Sequence, residues 1–494
     1  MQKRLLCLVL LFVMAAAAFA GCRGKDAPGA ETSPPAGDGT GGAQDADPLD
    51  PGLEAEQFGG YFTFFGREAD GYSFPYYEIS GNESKSTLDS GIFTRNSAIE
   101  YKYGVQILSR YELTNAMLSK LTTDVLSGTA HEYDAVLAPT TVAFQMAVNG
   151  LLYDMADIPH INLEKPYYDQ SLLADTSING IRYFAHGHYS ISTYNAISGL
   201  YFNQSMRSSY SLSDPYALVR DGEWTWETMF EMCRTVTSIV NDGNPDVGQH
   251  QYGIAIGIYA WQPMFFSTGS SLITKDENDT PQLNIADCVN IIQDVNRVMN
   301  DHETTFFPSS VNMSAQYNAM QVFEEGRSLF MSDPLYCIPE YLLDSDVDYG
   351  ILPFPMYREG QDAYYAQTHP AHSTVLGLSK AYDAGELNKA GKIMEDFAYQ
   401  SSVHVYSVLM DNILLYRNAK TAENYEMLGI IFSNVRCDMG LALNNETKMD
   451  NDIRSLIRSN STEIASTLNG NSTAYQGIIA NIVSSFEKYR SAAG

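Results

Sequence analysis

Metal, nucleophilic and phosphate chemistry each leave a spacing signature, and this chain carries none of the common ones. It has no HExxH, no GxSxG and no GxxxxGK[ST]. Nine histidines include the close pairs His186/His188 and His369/His372. No ligand pattern surrounds either pair, so both are read as non-ligand histidines, and neither a metal nor a cofactor is expected. The 59 acidic residues offer many carboxylate pairs for glycoside hydrolysis, but no motif selects one. Gly37 to Gly42 formally spells GxGxxG. No strand precedes it and no helix follows, so the dinucleotide reading fails its own context test.

Cys22 is the reactive residue whose setting says most. Lys3 and Arg4 open an apolar run from Leu5 to Gly21 that closes on Phe19-Ala20-Gly21-Cys22. A basic start, an apolar core and a small-residue processing site make a secretory signal. The run is shorter than the ~18–20 residues a bilayer span needs. Its end resembles a bacterial lipobox, with Phe19 in a slot usually filled by Leu. That resemblance implies cleavage before Cys22, lipid on its new N-terminus, removal of residues 1–21, and a mature protein anchored to a membrane outside the cytoplasm.

Composition narrows the partners. The 494 residues include 30 basic and 59 acidic side chains, a formal net charge of -29. Losing Lys3 and Arg4 with the leader makes the balance more acidic still. Such a body is repelled by nucleic acid and by anionic lipid, so lipid alone would have to hold it at a membrane. Hydrophobic residues make up 45% of the chain, enough for a large core. Cys233, Cys288, Cys337 and Cys437 are scattered without CxxC spacing. They are read as buried thiols, with one or two disulfides as the alternative, because a core this size needs no staples.

The elements that must position a site begin after residue 57. Residues 23–57 are rich in Gly, Pro, Ala, Asp and Glu, with only Leu49 and Leu53 as large apolar residues. They read as a flexible stalk with a reach of roughly 30 Å. Tyr61 to Phe65 reads as a buried strand ending at Gly66. Val105 to Leu108 follows a helix through Ala98–Tyr103 as a second strand, and Tyr133 to Ala138 as a third. Between them Thr114 caps a helix carrying Met117, Leu118, Leu121 and Val125, stopped by Gly128. This β-α-β-α-β order is the sequence form of an open parallel sheet. Ligands of such sheets sit beyond the carboxyl ends of strands, here Phe65, Gly66, Arg67 and Pro139, Thr140, Thr141. Thr225 starts a one-sided helix with Trp226, Met229, Phe230, Cys233, Val236 and Val240. A last helix carries Tyr475, Ile478, Ile479, Ile482, Val483, Phe486 and Tyr489 on one face.

Several of these pieces, in order, resemble the extracellular solute-binding proteins of ABC importers, in the class with many sugar binders. They are Thr94-Arg95-Asn96 with Ile99 to Tyr103, and Tyr133 to Val136 with Gly150 to Asp154. Leu200 to Asn203, Asp221 to Trp226, Phe323 to Phe330, Tyr349 to Pro355 and Ala422 to Asp438 continue the series. The resemblance covers most of residues 59–440. It implies an α/β, two-lobed periplasmic-binding-protein-like type II fold with a ligand cleft between the lobes. Lobe one would hold 58–190 and 373–435, and lobe two 191–372 and 436–494, behind the leader 1–21 and the linker 22–57. It further implies a monomer that closes about a hinge on a solute, a sugar or oligosaccharide, and delivers it to an ABC-transporter permease.

Sugars need flat apolar faces and planar polar groups. With 33 Tyr, 22 Phe and 3 Trp, most aromatics must be core. Position in the resembled fold selects Trp261 as the best stacking candidate, with Tyr259 beside it, while Trp224 and Trp226 read as packing residues. Asp333 and Tyr336 follow the strand Ser328–Met331, His372 and Ser373 sit at one expected lobe crossing, and Tyr189 at another. With Phe65, Arg67 and Thr140 these are the candidate ligand-binding residues, and no catalytic residue is assigned. The competing class is a lipid-anchored glycoside hydrolase or another surface-anchored carbohydrate-active enzyme. A third is an anchored adhesin, which would need neither cleft nor crossings.

Overall fold

The structure, a computed structural model, describes residues 47–69, 78–83, 85–127, 131–238, 250–308, 314–342, 345–415 and 421–491. The chain divides into Met1–Pro48 and Leu49–Gly494. The expected leader, Cys22, the first part of the stalk, the Gly37–Gly42 run, the helix stop at Gly128 and Val240 lie outside the described residues.

The chain first lays down β1 (Tyr61–Arg67), β2 (Gln106–Glu112) and β3 (Ala135–Pro139). It then crosses to β4 (Ser198–Asn203), β5 (Tyr252–Ala255), a hairpin of β6 (Ile273–Lys275) and β7 (Pro281–Leu283), β8 (Thr305–Phe306), β9 (Ser328–Pro334) and β10 (Tyr349–Leu352). A short β11 (Ala366–Gln367) leads back to β12 (Thr374–Leu378), and β13 (Val435–Arg436) follows. The first sheet runs β12-β3-β1-β2 and the second β10-β4-β9-β5-β8, so each lobe has a sheet of its own. In the first, β1 pairs in parallel with β2 and β3, and the returning β12 runs antiparallel to β3.

Period-two alternation sends the residues of β1, β3 and β12 to two covered faces, while the edge strand β2 is only partly buried. Phe62, Phe64, Ala135, Leu137, Leu376 and Leu378 join Ile99, Tyr103, Ile393 and Phe397 in one cluster. Phe65, Val136, Ala138 and Val375 point the other way, into the cluster that holds Met117, Leu121 and Phe144 and continues through the second lobe. The flanking helices have the ends their sequences specify. Ser86 caps helix Thr87–Tyr103 by accepting from the Asp89 N–H, and Gly104 ends it at φ 61°. Thr225 caps helix Trp226–Val236 through the Thr228 N–H. The Trp224 indole is fully buried and donates to the Pro353 carbonyl at 3.0 Å, in the packing role expected of it.

The lobes meet at crossings with few strand contacts. Ile197 bridges Thr368, and β11 pairs in parallel with β13. Two segments sit differently from the expected division. Helix Ala422–Ser433, within the stretch given to lobe one, packs on β10 of the second sheet. There the Asn424 side chain accepts from Ile351 N–H (2.8 Å) and Tyr216 Oη (2.7 Å). Helix Ile464–Ser491, given to lobe two, belongs to both. It packs on helix Ile285–Met299 of the second lobe, and its far end lies on the first, where Tyr183 donates to the Phe486 carbonyl at 2.7 Å and Phe144 faces the Phe486 ring.

The stalk also ends earlier than its composition suggests. Glu56 N–H donates to the Lys102 carbonyl, Phe58 N–H to that of Tyr103, and the Glu56 carboxylate pairs with Lys392 at 2.9 Å. These bonds tie the residues just before β1 to lobe one. Cys233, Cys288, Cys337 and Cys437 are free and buried, the thiol reading made from their scatter. Among the described residues no helix is long and apolar enough to cross a membrane.

Candidate functional site

The carboxyl ends of β1, β3, β5 and β9 gather where the chain crosses between lobes, and the segment His369–Ser373 is their meeting point. It is a tight turn. The N–H groups of His372 and Ser373 both donate to the His369 carbonyl at 2.8 Å. Helix Thr140–Val148 starts directly after β3, and Pro139 supplies no side-chain cap. Its first N–H groups are satisfied by the turn instead: Thr140 donates to the Ser373 carbonyl at 2.9 Å and Thr141 to that of Pro370 at 3.2 Å. The Thr140 and Ser373 hydroxyls also share a bond of 2.8 Å, and both residues are fully buried. This pair is an interlock that fixes the turn, with no surface to offer a ligand.

Arg67 and Tyr259 approach the same turn from two different strand ends. Arg67, at the end of β1, donates from Nη1 to the Ala371 carbonyl at 3.2 Å. The His369 and His372 rings lie 4.7 Å apart, and Tyr259 meets His369 edge-on at 5.7 Å. Tyr259 follows β5 and leaves 46% of its surface exposed. The Ala371 N–H donates to His369 Nδ1, which places the ring proton on Nε2. That Nε2 is buried without a hydrogen-bond partner among the described residues. Burial pulls the His369 pKa down to about 4, so it is a neutral donor near pH 7. Tyr336 joins from β9: its N–H donates to the Asn195 carbonyl while His369 N–H donates to that of Ala196. Asp333 is buried in the β9–β4 ladder opposite Gly199.

Three of the residues selected from sequence belong to cores. Phe65 stacks on Tyr133 at 4.2 Å within the first lobe. Tyr189 is fully buried and donates to its neighbour's carbonyl at Ala185 (2.6 Å). Trp261 is fully buried, in a helix whose six residues are all buried, and has no ring face free for stacking. Its indole instead donates to Asp450 at 3.1 Å.

That bond leads to a group the sequence reading missed. Asp450 accepts from Trp261 Nε1 (3.1 Å), Gln262 Nε2 (3.0 Å) and Arg454 Nε (2.8 Å). The Arg454 guanidinium so held lies 5.0 Å from the Tyr259 ring centroid. Asp450 and Arg454 are one turn apart on helix Met449–Arg458, a spacing that on sequence alone reads as a solvated ion pair. The available signal was the strength of that helix's polar–apolar division, which sets Met449, Ile453 and Ile457 on the buried side. Tyr259, Arg454, His369, His372, Arg67 and Tyr336 together offer an aromatic face, planar cationic groups and imidazole donors, the groups that bind hydroxyl-bearing rings. Among the described residues no group of three or more His, Cys, Asp or Glu side chains is placed to hold a metal ion.

No protein-family model and no curated protein matches the chain. Solved structures do match its fold. A cyclic α-maltosyl-1,6-maltose binding protein from Arthrobacter globiformis aligns with a TM-score of 0.56 at 12% identity, covering 85% of this chain and 99% of that one. A sugar transporter from Rhizobium etli in an open conformation gives 0.56 at 12%, covering 86% and 99%. An ABC substrate-binding protein from Listeria monocytogenes in complex with cycloalternan gives 0.51 at 13%, covering 88% and 99%. The chain therefore has the two-lobed α/β fold of these proteins, over nearly their whole length.

Proposed function

We propose that this chain is the extracytoplasmic solute-binding lipoprotein of an ABC importer, capturing a sugar or oligosaccharide between its lobes. The observation that carries the reading is the convergence at the crossing. Arg67 comes from the first lobe, Tyr259, Arg454 and Tyr336 come from the second, and the His369–Ser373 turn lies on the crossing that joins them. The matched structures include proteins described as binding cyclic maltosaccharides and cycloalternan, which favours a carbohydrate over another solute. A ligand touching both lobes stabilises the closed arrangement by its contacts in that state alone. The closed shape is what a permease would read. Lipid on Cys22 would keep the loaded monomer close to that permease.

The test is a thermal-shift and calorimetric titration of the mature protein with mono-, di- and cyclic oligosaccharides. A saturable rise in apparent stability without product is the expected outcome, since a ligand that binds only the folded state raises its stability. Turnover of a glycan, abolished by replacing one carboxylate, overturns the binder in favour of a surface-anchored hydrolase. Mass measurement of the mature N-terminus tests the anchor: a diacylated Cys22 supports it, and an unmodified N-terminus refutes it.

A further inference from the structure

Helix Thr87–Tyr103 ends at Gly104, and the last carbonyls of a helix have no partner within it. Residues 56–58 supply partners from outside. Gln57 Nε2 donates to the Lys102 carbonyl at 3.3 Å and reaches that of Tyr101 at 3.5 Å. Glu56 N–H donates to Lys102 at 3.3 Å, and Phe58 N–H to Tyr103 at 2.9 Å. We infer that residues 50–60 are a clamp on the first lobe, through which a tether at the N-terminus holds that lobe alone and leaves the second to swing. The tether and the swing rest on the function proposed above; the clamp does not.

The segment is shaped for this position. Phe58 packs against the first-lobe cluster, its ring 5.9 Å from that of the buried Tyr103. The Glu56 carboxylate pairs with Lys392 at 2.9 Å, and Lys165 Nζ donates to the Asp50 carbonyl at 3.3 Å. Gly59 and Gly60 both stand at φ 73°, a left-handed pair that residues with a Cβ adopt only at a cost. They lead the chain into β1, and the Gly60 carbonyl accepts from Gln106 N–H at 2.9 Å just ahead of the β1–β2 ladder.

The holding residues, Tyr101, Lys102, Tyr103, Lys165 and Lys392, all lie in the first lobe. Two of them are fixed in turn to one carboxylate. Tyr103 Oη donates to Asp396 at 2.5 Å, and Lys102 Nζ pairs with it at 2.7 Å. Asp396 is fully buried on helix Leu387–Ser401, which also carries Lys392. A pull on the chain ahead of residue 50 is therefore borne by two helices of the first lobe, and none of these bonds passes it to the second. Capture by hinge closure moves one lobe against the other, and this arrangement assigns the motion to the second.

Spin-label distances and backbone hydrogen exchange on the full mature protein test this. Cys233, Cys288, Cys337 and Cys437 are buried, so labels go to Ala55→Cys, to Leu126→Cys of the first lobe and to Tyr210→Cys of the second, all exposed positions. The 55–126 distance should be single and the same with and without a saturating oligosaccharide, while the 55–210 distance shifts on binding. Gln57→Ala with Phe58→Ala should broaden the 55–126 distribution and speed exchange at the Glu56 amide, with carbohydrate affinity in place because neither residue lies in the site around Tyr259. A broad 55–126 distribution in the parent protein, or one that the double variant leaves unchanged, overturns the clamp. A 55–126 distance that shifts on saturation, or a 55–210 distance that does not, overturns the hold on one lobe. If no carbohydrate binds, the solute-binding reading fails, and the exchange and the 55–126 distance still decide the clamp.

Discussion

Replacing Asp450 by Ala removes the acceptor shared by Trp261, Gln262 and Arg454 at 3.1, 3.0 and 2.8 Å. The Asp450 side chain is 7% exposed and that of Arg454 19%. The variant therefore leaves a mostly buried guanidinium and two buried N–H donors without their partner. Breaking a buried pair by deleting one member costs about 3–5 kcal/mol, and that is the loss expected. Asp450→Asn keeps the shape and one carbonyl acceptor but turns an N–H group toward Arg454, for a loss of about 1–3 kcal/mol. Urea unfolding followed by tryptophan emission reads both, because Trp261 sits on the bond being cut. The double variant with Arg454→Ala should recover part of the loss, as the stranded cation is gone. Affinity for the carbohydrate should fall in step, since Asp450 holds Arg454 beside Tyr259. A loss below about 1 kcal/mol for Asp450→Ala, with an unchanged denaturant slope, would refute the premise that this carboxylate organises the site.

Tyr259→Ala should weaken carbohydrate binding by about 2- to 12-fold, the worth of one aromatic contact, while leaving the melting temperature in place because the ring is half exposed; calorimetry and a melt check the pair. His186 is fully buried with both ring nitrogens unpartnered among the described residues, and burial lowers its pKa to about 3. The folded state keeps it neutral while the unfolded chain protonates near pH 6.5, so the stability it confers is complete above that pH and is lost as pH falls toward 3. His186→Leu should flatten the stability-versus-pH curve there by about 1.4 kcal/mol per pH unit, read from denaturation at several pH values. Gly391→Ala would set a methyl 1.7 Å from the Pro159 carbonyl oxygen and should cost about 3 kcal/mol or more, measured as a drop in the unfolding midpoint.

What the sequence makes legible here is what depends on neighbours along the chain. Alternation in Tyr61–Phe65 and Tyr133–Ala138, the Thr225 cap and the one-sided last helix all appear where the residues place them. The strand-end rule reached Arg67 and the Thr140 region because it needs only element order. The stacking assignment of Trp261 fails for a different reason. Trp261, Met264, Phe265 and Phe266 already mark a mostly apolar segment, and the Trp261 indole N–H is satisfied 189 positions away by Asp450. Burial of Tyr189 and the placement of helix Ala422–Ser433 on β10 likewise rest on partners distant in sequence, as in the 208-residue separation of Tyr216 and Asn424. Pairings of that range have no local signature.

The helix Ile464–Ser491 has a bearing on the order in which the protein becomes whole. Tyr183 and its partner Phe486 are 303 positions apart, and Phe144 waits longer still for the same ring. While the chain is being made, the first lobe must hold an apolar strip uncovered until these residues arrive. Contacts of such separation form late and leave that strip open to wrong partners meanwhile. Completion of the first lobe is thus tied to a stretch made 303 residues after Tyr183, and shortening the helix by two turns from its far end would unclothe a part of the fold made much earlier.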